Sequence, residues 1–340
     1  MASNEELTFF DVENKLDKLE TYKDPLKKLN EKINWEIFRN FLQKIFEISP
    51  KGPGGRPRFD FILMFKIIIL QRYYNLSDDQ IEYQINDRFS FMRFLGLTIK
   101  DTIPDAKTIW CFKETLKQQN AVEDLFNIFN SHLEEIGLFG NKGSIVDASF
   151  VDVPKQRNNR EENKEIKEGK IPEEWQKDEN KLRQKDTDAR WTKKNNETHY
   201  GYKDHVKVDK ESKLIESYTV TSANTHDSQE LKNLVNDEDG QKDLYADSAY
   251  TGEEIENTLE EKKINNKIHE KGYRNNPLTD EQKEANKEKS KTRVRVEHVF
   301  GFIENSMHGS KIKTIGIDRA AMIIGLINLT YNMFRAIQIS

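Results

Sequence analysis

Apolar residues recur at roughly helical spacing through most of the first 138 residues. The segment 49–60 interrupts this pattern with three prolines and three glycines among three basic residues. Two of the later periodic stretches begin after residues that commonly cap helices, Ser77 and Asp105. The pattern therefore predicts an all-helical N-terminal domain over residues 1–138.

The pattern changes at Gly143, where short apolar runs bounded by turn residues replace the helical periodicity. The predicted order is a strand, a strand pair, a helix, a strand, a helix, a short strand and final helices. That order indicates a mixed sheet flanked by helices, an α/β domain over residues 139–340. Residues 155–198 contain few apolar side chains and predict a solvated or partly disordered loop. Residues 280–306 predict one long helix.

Composition narrows the class of protein only modestly. The chain has 340 residues and a formal net charge of −5, which does not by itself indicate a nucleic-acid binder. Its single cysteine, Cys111, excludes an intramolecular disulfide or a multi-cysteine zinc site, and we expect this side chain in the core. The apolar run 59–70 is too short to span a bilayer and the N-terminus lacks signal-peptide features. We expect a soluble, cytoplasmic protein without a membrane segment.

Three acidic residues stand among apolar neighbours, although an unpaired charge is costly to bury. They are Asp147 in IVDASFVD, Asp247 in DLYADSAY and Glu297 in RVRVEHVFG. Each alone has an ordinary interpretation. Asp147 could bond the backbone at a strand end, Ser248 or Thr251 could cap a helix beside Asp247, and Glu297 could lie on a solvated helix face.

Taken together, the three acids support a more specific hypothesis. Two strand-borne aspartates and a helix-borne glutamate can meet at the edge of a sheet. Carboxylate oxygens are hard ligands that suit Mg²⁺ or Mn²⁺. Two such ions would stabilise the attacking and leaving oxygens of a phosphoryl displacement. Arg293 lies four residues before Glu297, on the same predicted helical face.

Eight blocks follow one another in a fixed order along most of the chain. Two lie in the helical part, GRPRFDFILMFKIIILQRYYNLSDDQIEYQINDRFSFMRFLGL and TIPDAKTIWCFKETL. Six lie in the second part, IVDASFVD, DTDARWTKKNNETHYGYKDHVKVD, TSANTHDSQ, LYADSAYTG, TRVRVEHVFGFIE and IGIDRAAMIIGLINLTYNMFR. In this order the blocks resemble the DDE-type transposases of bacterial insertion sequences, and most closely the insertion-sequence-five group within the ribonuclease-H-like superfamily.

This resemblance implies a helical N-terminal domain for DNA binding or oligomerisation and a ribonuclease-H-like catalytic domain. It implies that Asp147, Asp247 and Glu297 are the catalytic triad and the ligands of two Mg²⁺ or Mn²⁺ ions. It further implies a transposase that acts on double-stranded DNA, at transposon ends and target, as a homodimer in the nucleoid. Residues 155–187 resemble a variable charged insertion, and Ser290 and Glu304 replace the tyrosine and lysine of many relatives.

Candidate DNA contacts come from basic and aromatic residues. Arg56 and Arg58 lie in the basic segment 51–58, Trp191 precedes Lys193 and Lys194, and Arg293 lies in the basic segment 287–295. Lys203 and His205 alternate along a predicted strand and could contact phosphate. Acidic residues interleave with most of these runs, so each patch could equally be a solvated face.

Two other functions fit the same residues. One is a ribonuclease-H-like DNA nuclease that does not transfer strands, and an assay with pre-cut DNA ends would separate it from a transposase. The other is a catalytically silent DNA-binding protein derived from a transposase, against which the presence of all three acids argues.

Overall fold

The computed structural model describes residues 14, 17–18, 21–46, 58–194, 196–274 and 276–340. The chain forms two compact units. The first comprises Met1–Gln71 and Leu76–Gln119, and the second comprises Arg72–Asn75 and Asn120–Ser340. Arg56 and most of the basic segment 51–58 lie outside the described residues.

The first unit is helical, as the sequence predicts. Its described helices are α1 (Pro25–Lys32), α2 (Arg39–Phe46), α3 (Phe61–Tyr73, whose last two residues group with the second unit), α4 (Asp78–Asp87), α5 (Phe89–Leu95) and α6 (Ala106–Gln118). Ser77 and Asp105 cap α4 and α6 through their side chains, which confirms both predicted caps. Cys111 is exposed, so the expectation of a core cysteine was wrong, because other side chains of α6 occupy its buried face.

The second unit is built on a mixed sheet. Its strands are β1 (Gly143–Asp152), β2 (Arg190–Lys194), β3 (Glu197–Asp209), β4 (Ile215–Ser222), β5 (Asp243–Tyr245) and β6 (Asn265–Asn266). Strand β3 runs antiparallel to β1 on one edge and to β4 and β2 on the other. Strand β5 is parallel to β1, and β6 is parallel to β5. The order β4-β3-β1-β5-β6 with these directions is that of a ribonuclease-H-like sheet, which confirms the predicted fold.

Helices cover this sheet. They are α7 (Ala121–Glu135), α8 (Arg160–Lys167), α9 (Glu173–Gln176), α10 (Glu179–Arg183), α11 (Leu231–Leu234), α12 (Glu253–Glu261), α13 (Asp280–Arg293), α14 (Arg295–Gly301) and α15 (Ile317–Ile339). By its contacts α7 belongs to the second unit. Helix α15 is long and apolar enough to cross a membrane, but 78% of its apolar window is buried inside the protein. It is therefore the central core helix of this unit.

The segment after β1 is folded, so the prediction of a solvated loop over 155–198 was wrong. It forms three short helices and β2, and Asn159 and Glu162 make a capping box at α8. Trp175 is fully buried and donates a hydrogen bond of 2.8 Å from Nε1 to Glu162 Oε1. Ile166 is buried as well. A few large apolar side chains thus suffice to order a segment whose composition is mostly charged.

The long helix expected at 280–306 is interrupted. Helix α13 ends at Arg293, and α14 begins after Val294 and continues into a π-helical turn, Phe302–Ser306. The interruption separates Arg293 from Glu297 by a helix junction while keeping them about one turn apart. It places the end of α13 and the start of α14 beside the sheet.

Candidate active site

The two candidate aspartates lie at the same level of the sheet. Strands β1 and β5 are parallel neighbours, and their last registered pair is Ile145 with Tyr245. Asp147 and Asp247 each follow this pair by two residues. The register of the sheet therefore brings together two acids that are 100 positions apart in the sequence.

Asp147 is largely enclosed. Its side chain is 14% exposed, Oδ1 accepts the backbone N–H of Ala148 at 2.8 Å, and Oδ2 accepts Arg293 Nη1 at 3.0 Å. Burial raises the pKa of Asp147 to about 6, and the negative charge of Asp247 acts in the same direction. The bonds from Ala148 and Arg293 oppose this rise without cancelling it. The carboxylate consequently lies where a positive charge would stabilise its ionised form.

Asp247 directly follows β5 and begins a 3₁₀ turn, Ser248–Tyr250. Its Oδ1 accepts the N–H of Ala249 at 2.8 Å, so Asp247 itself is the cap. Helix α12, which follows, begins after Gly252 and has no side-chain cap, so the alternative in which Ser248 or Thr251 caps that helix was wrong. The second oxygen of Asp247 accepts no hydrogen bond from the described residues, which leaves it available to a ligand.

Glu297 lies on α14, close to Arg293. Its side chain is 61% exposed, and Oε1 lies 3.9 Å from Arg293 Nη2. Val296 and Val299 are fully buried and fix the apolar face of the helix, so Glu297 lies on its solvent side. Arg293 stands between Glu297 and Asp147 and connects the helix to β1.

Among the described residues, no three His, Cys, Asp or Glu side chains are arranged closely enough to hold a metal ion. The donor chemistry of the trio nevertheless fits a hard divalent cation, because its side chains offer only carboxylate oxygens. The electrostatics fit as well, since Asp247 raises the pKa of Asp147 and a cation would relieve this repulsion. The donor type and the charge at Asp147 are thus compatible with a divalent cation, while the three carboxylates are not gathered into a closed site among the described residues.

Tyr250 is a neighbour of this site that the sequence analysis did not identify. Its side chain is fully buried, and its hydroxyl makes no hydrogen bond to the described residues. Burial raises the pKa of Tyr250, and the charges of Asp147, Asp227 and Asp247 add to the rise. Its position three residues after Asp247 was visible in the sequence, but its burial was not.

Lys203 and His205, two candidate phosphate contacts, are buried. Lys203 Nζ donates to Asp227 Oδ1 at 2.6 Å and to the carbonyl of Thr225 at 2.6 Å. His205 Nε2 lies 2.8 Å from Thr221 Oγ1, and burial lowers the pKa of His205 to about 4. In this arrangement neither side chain presents an exposed charge to a phosphate.

Trp191, by contrast, is 43% exposed on β2. Its ring lies 4.8 Å from that of Tyr200, and Lys155 Nζ is 5.5 Å from its centroid. Lys194, three residues further along β2, is exposed. Its positive charge lowers the pKa of Asp147. An aromatic and basic surface therefore borders the candidate active site.

Arg58, another candidate DNA contact, lies in the first unit. Its Nη1 donates a hydrogen bond of 2.6 Å to the carbonyl of Phe46.

Comparisons with known proteins identify the family of the chain. A family described as "Transposase DDE domain" matches residues 139–333, and one described as "Transposase domain (DUF772)" matches residues 14–115. A solved piggyBac transposase synaptic complex with hairpin DNA is similar at 12% identity and a TM-score of 0.45, covering 93% of this chain and 75% of that one. Because the first match spans more than half of the chain, the protein belongs to the family of DDE transposases, intracellular enzymes that bind DNA, cleave phosphodiester bonds and transfer strands with divalent metal ions.

Proposed function

We propose that Asp147, Asp247 and Glu297 are the catalytic triad of this transposase and that they bind two Mg²⁺ or Mn²⁺ ions. The observation that carries the proposal is the parallel register of β1 and β5, which sets Asp147 and Asp247 side by side. The contact of Glu297 with Arg293, which itself bonds Asp147, supports the inclusion of Glu297. The assignment to the insertion-sequence-five group rests on the sequence motifs.

We propose that the substrates are the terminal inverted repeats of the protein's own element and a target duplex. Two ends must be joined in one reaction, which favours a homodimer on DNA, and DNA binding would keep the protein in the nucleoid. The exposed Trp191 and the neighbouring Lys193 and Lys194 support an approach of DNA along β2. The helical first unit is the candidate reader of the repeats.

The chemistry follows from what the site residues can hold. Bound divalent ions activate an attacking oxygen and stabilise a departing one. The chain itself would supply the carboxylates of two strand ends and one helix, and the side chain of Asp147 is only 14% exposed. Hydrolysis would free a 3′-hydroxyl, and the same residues would then orient that hydroxyl towards the target phosphate.

The test compares substitutions that remove one charge each. Asp147→Asn, Asp247→Asn and Glu297→Gln should each lower the rate of DNA cleavage by at least the roughly 10–100-fold that the loss of a residue supporting a metal ligand costs. Binding of a terminal-repeat duplex, measured by gel shift, should change little. The control is Asp243→Asn on β5, whose carboxylate pairs with Lys210 at 3.0 Å and which should cleave normally.

Pre-cut ends test strand transfer separately. Incubated with target DNA, the wild-type protein should give joined products, and the three triad variants should not. A variant of Asp147 that still cleaves at the wild-type rate would reject the triad. Cleavage without any joined product would instead assign the chain to the nuclease class.

A further inference from the structure

One guanidinium bridges two acids of the proposed triad. Arg293 Nη1 donates to Asp147 Oδ2 at 3.0 Å, and Arg293 Nη2 lies 3.9 Å from Glu297 Oε1. Asp147 comes from β1 and Glu297 from α14, so the two acids share no local structure that would hold them together. The cation between them is Arg293, 24% exposed at the end of α13.

The guanidinium is bound incompletely in this position. Its Nε is buried and finds no hydrogen-bond partner among the described residues, and its contact with Glu297 is longer than a hydrogen bond. An unpaired buried donor costs free energy, and a five-donor group that makes one good bond is far from saturated. Such a side chain is held by charge more than by geometry, and another cation can replace it.

We propose that Arg293 is a placeholder cation. In the protein without metal, its charge neutralises Asp147 and Glu297, and it must leave before a divalent ion can bind between these two carboxylates. The inference rests on the proposed function, because it assumes that both acids are metal ligands. Once displaced, the guanidinium is suited to bind a phosphate of the DNA backbone with two parallel hydrogen bonds.

The placeholder role couples metal binding to DNA binding. A backbone phosphate that draws the guanidinium away from the carboxylates makes the metal site available, and a metal ion that displaces the guanidinium makes it available to DNA. Each ligand should therefore raise the affinity for the other by the same factor. Removing Arg293 should also tighten metal binding, whereas removing a residue that merely positions the carboxylates would weaken it.

Calorimetric titration of the whole chain with Mn²⁺, without DNA, tests whether the loss of Arg293 strengthens or weakens Mn²⁺ binding. Arg293→Gln should bind Mn²⁺ about tenfold more tightly than the wild type, the factor expected when one charge-assisted hydrogen bond no longer competes. The matched control is Arg295→Gln, which removes the same charge two residues away, where the guanidinium bonds the carbonyl of Lys210. Its Mn²⁺ affinity should stay within about twofold of wild type, since distant exposed charges are screened.

A second titration includes a terminal-repeat duplex. The duplex should tighten Mn²⁺ binding in the wild type and should have little effect in Arg293→Gln. Melting curves establish that each variant is folded. Should Arg293→Gln not fold, Arg293→Met carries the test, because it keeps an apolar stem of similar length, removes the charge and should also bind Mn²⁺ more tightly than the wild type.

The outcomes separate this inference from the proposed function. Equal or weaker Mn²⁺ binding by Arg293→Gln, together with wild-type binding that Asp147→Asn abolishes, would overturn the placeholder role and leave the triad in place. If no form of the protein bound Mn²⁺ in an Asp147-dependent way, the metal-binding triad would be rejected and the placeholder role with it.

Discussion

Asp204 and Asn328 form a buried polar pair between β3 and α15. Asn328 Nδ2 donates a hydrogen bond of 3.1 Å to Asp204 Oδ1, and the two side chains are 4% and 0% exposed. Burial raises the pKa of Asp204 to about 7, and the bond from Asn328 reduces that rise only in part. The core of the second unit thus contains a carboxyl group that is near its titration point at neutral pH.

This pair predicts a pH-dependent stability. An aspartate titrates near pH 4 in the unfolded chain, so the folded state binds the extra proton between about pH 4 and 7. The free energy of unfolding should therefore fall as the pH rises through this window, and Asp204→Asn should remove that fall. At pH 8 the variant should be more stable than wild type by about 4 kcal/mol.

Urea unfolding at pH 5 and pH 8 measures the effect. The difference between variant and wild type is the useful quantity, because His205, whose pKa is lowered to about 4, makes a contribution of opposite sign at acidic pH in both proteins. A difference that does not change with pH would show that Asp204 does not titrate in this range.

Two buried tyrosines predict opposite effects of the same substitution. Tyr202 donates to both oxygens of Asp186 at 2.8 Å, whereas the hydroxyl of Tyr250 has no partner among the described residues. Tyr202→Phe should cost about 1.5–3 kcal/mol of unfolding free energy, and Tyr250→Phe should be neutral or stabilising. Thermal or urea unfolding of the two variants in one buffer makes the comparison. Equal losses would mean that the Tyr250 hydroxyl has a partner in solution.

The main elements of the second unit could be predicted from sequence, because strands and helices there have distinct periodicities. The convergence of Asp147 and Asp247 depended on the register of β1 and β5, which no local pattern encodes. Both strands were predicted. Their parallel pairing, which sets each residue of β1 beside the residue 100 positions later in β5, is determined by the assembled sheet. The sequence could identify the two acids as candidates but could not give the distance between them.

The failures have physical causes too. The segment around Trp175 was predicted as a loop because charged residues dominate its composition, while its folding depends on very few buried side chains. Lys203 and His205 alternate in the way that exposed residues on a strand do. In the structure these two side chains are not exposed, because β3 is buried on both faces and Lys203 pairs with Asp227. The segments that bury β3 and supply Asp227 are distant in the sequence, so the local pattern could not show this.

The buried pair of Lys203 and Asp227 predicts a large stability effect. The side chains are 10% and 11% exposed and 2.6 Å apart. Lys203→Met should lower the free energy of unfolding by about 3–5 kcal/mol, because it leaves the Asp227 carboxylate buried without its cation. The double variant with Asp227→Asn should recover part of this loss. Urea unfolding of the four proteins gives the coupling energy, and additive losses would show that the pair does not interact.

Replacing the exposed Trp191 should weaken DNA binding and leave the stability of the protein nearly unchanged. Because its ring is 43% exposed, Trp191→Ala should change the free energy of unfolding by less than about 1 kcal/mol. A base or backbone segment stacked on that ring would contribute about 1–3 kcal/mol, so the dissociation constant for a terminal-repeat duplex with frayed ends should rise by about tenfold or more.

Fluorescence anisotropy with labelled duplex measures this constant, and Tyr273→Ala is the control. Tyr273 is 61% exposed in the same unit, so its removal takes away a comparable aromatic surface outside β2. Its DNA affinity should remain that of the wild type. If both variants bound DNA equally well, the aromatic surface beside the active site would not contact the ends. Lys193 and Lys194 would then be the remaining candidates on β2, acting through the phosphates and distinguishable by a reduced dependence of binding on salt.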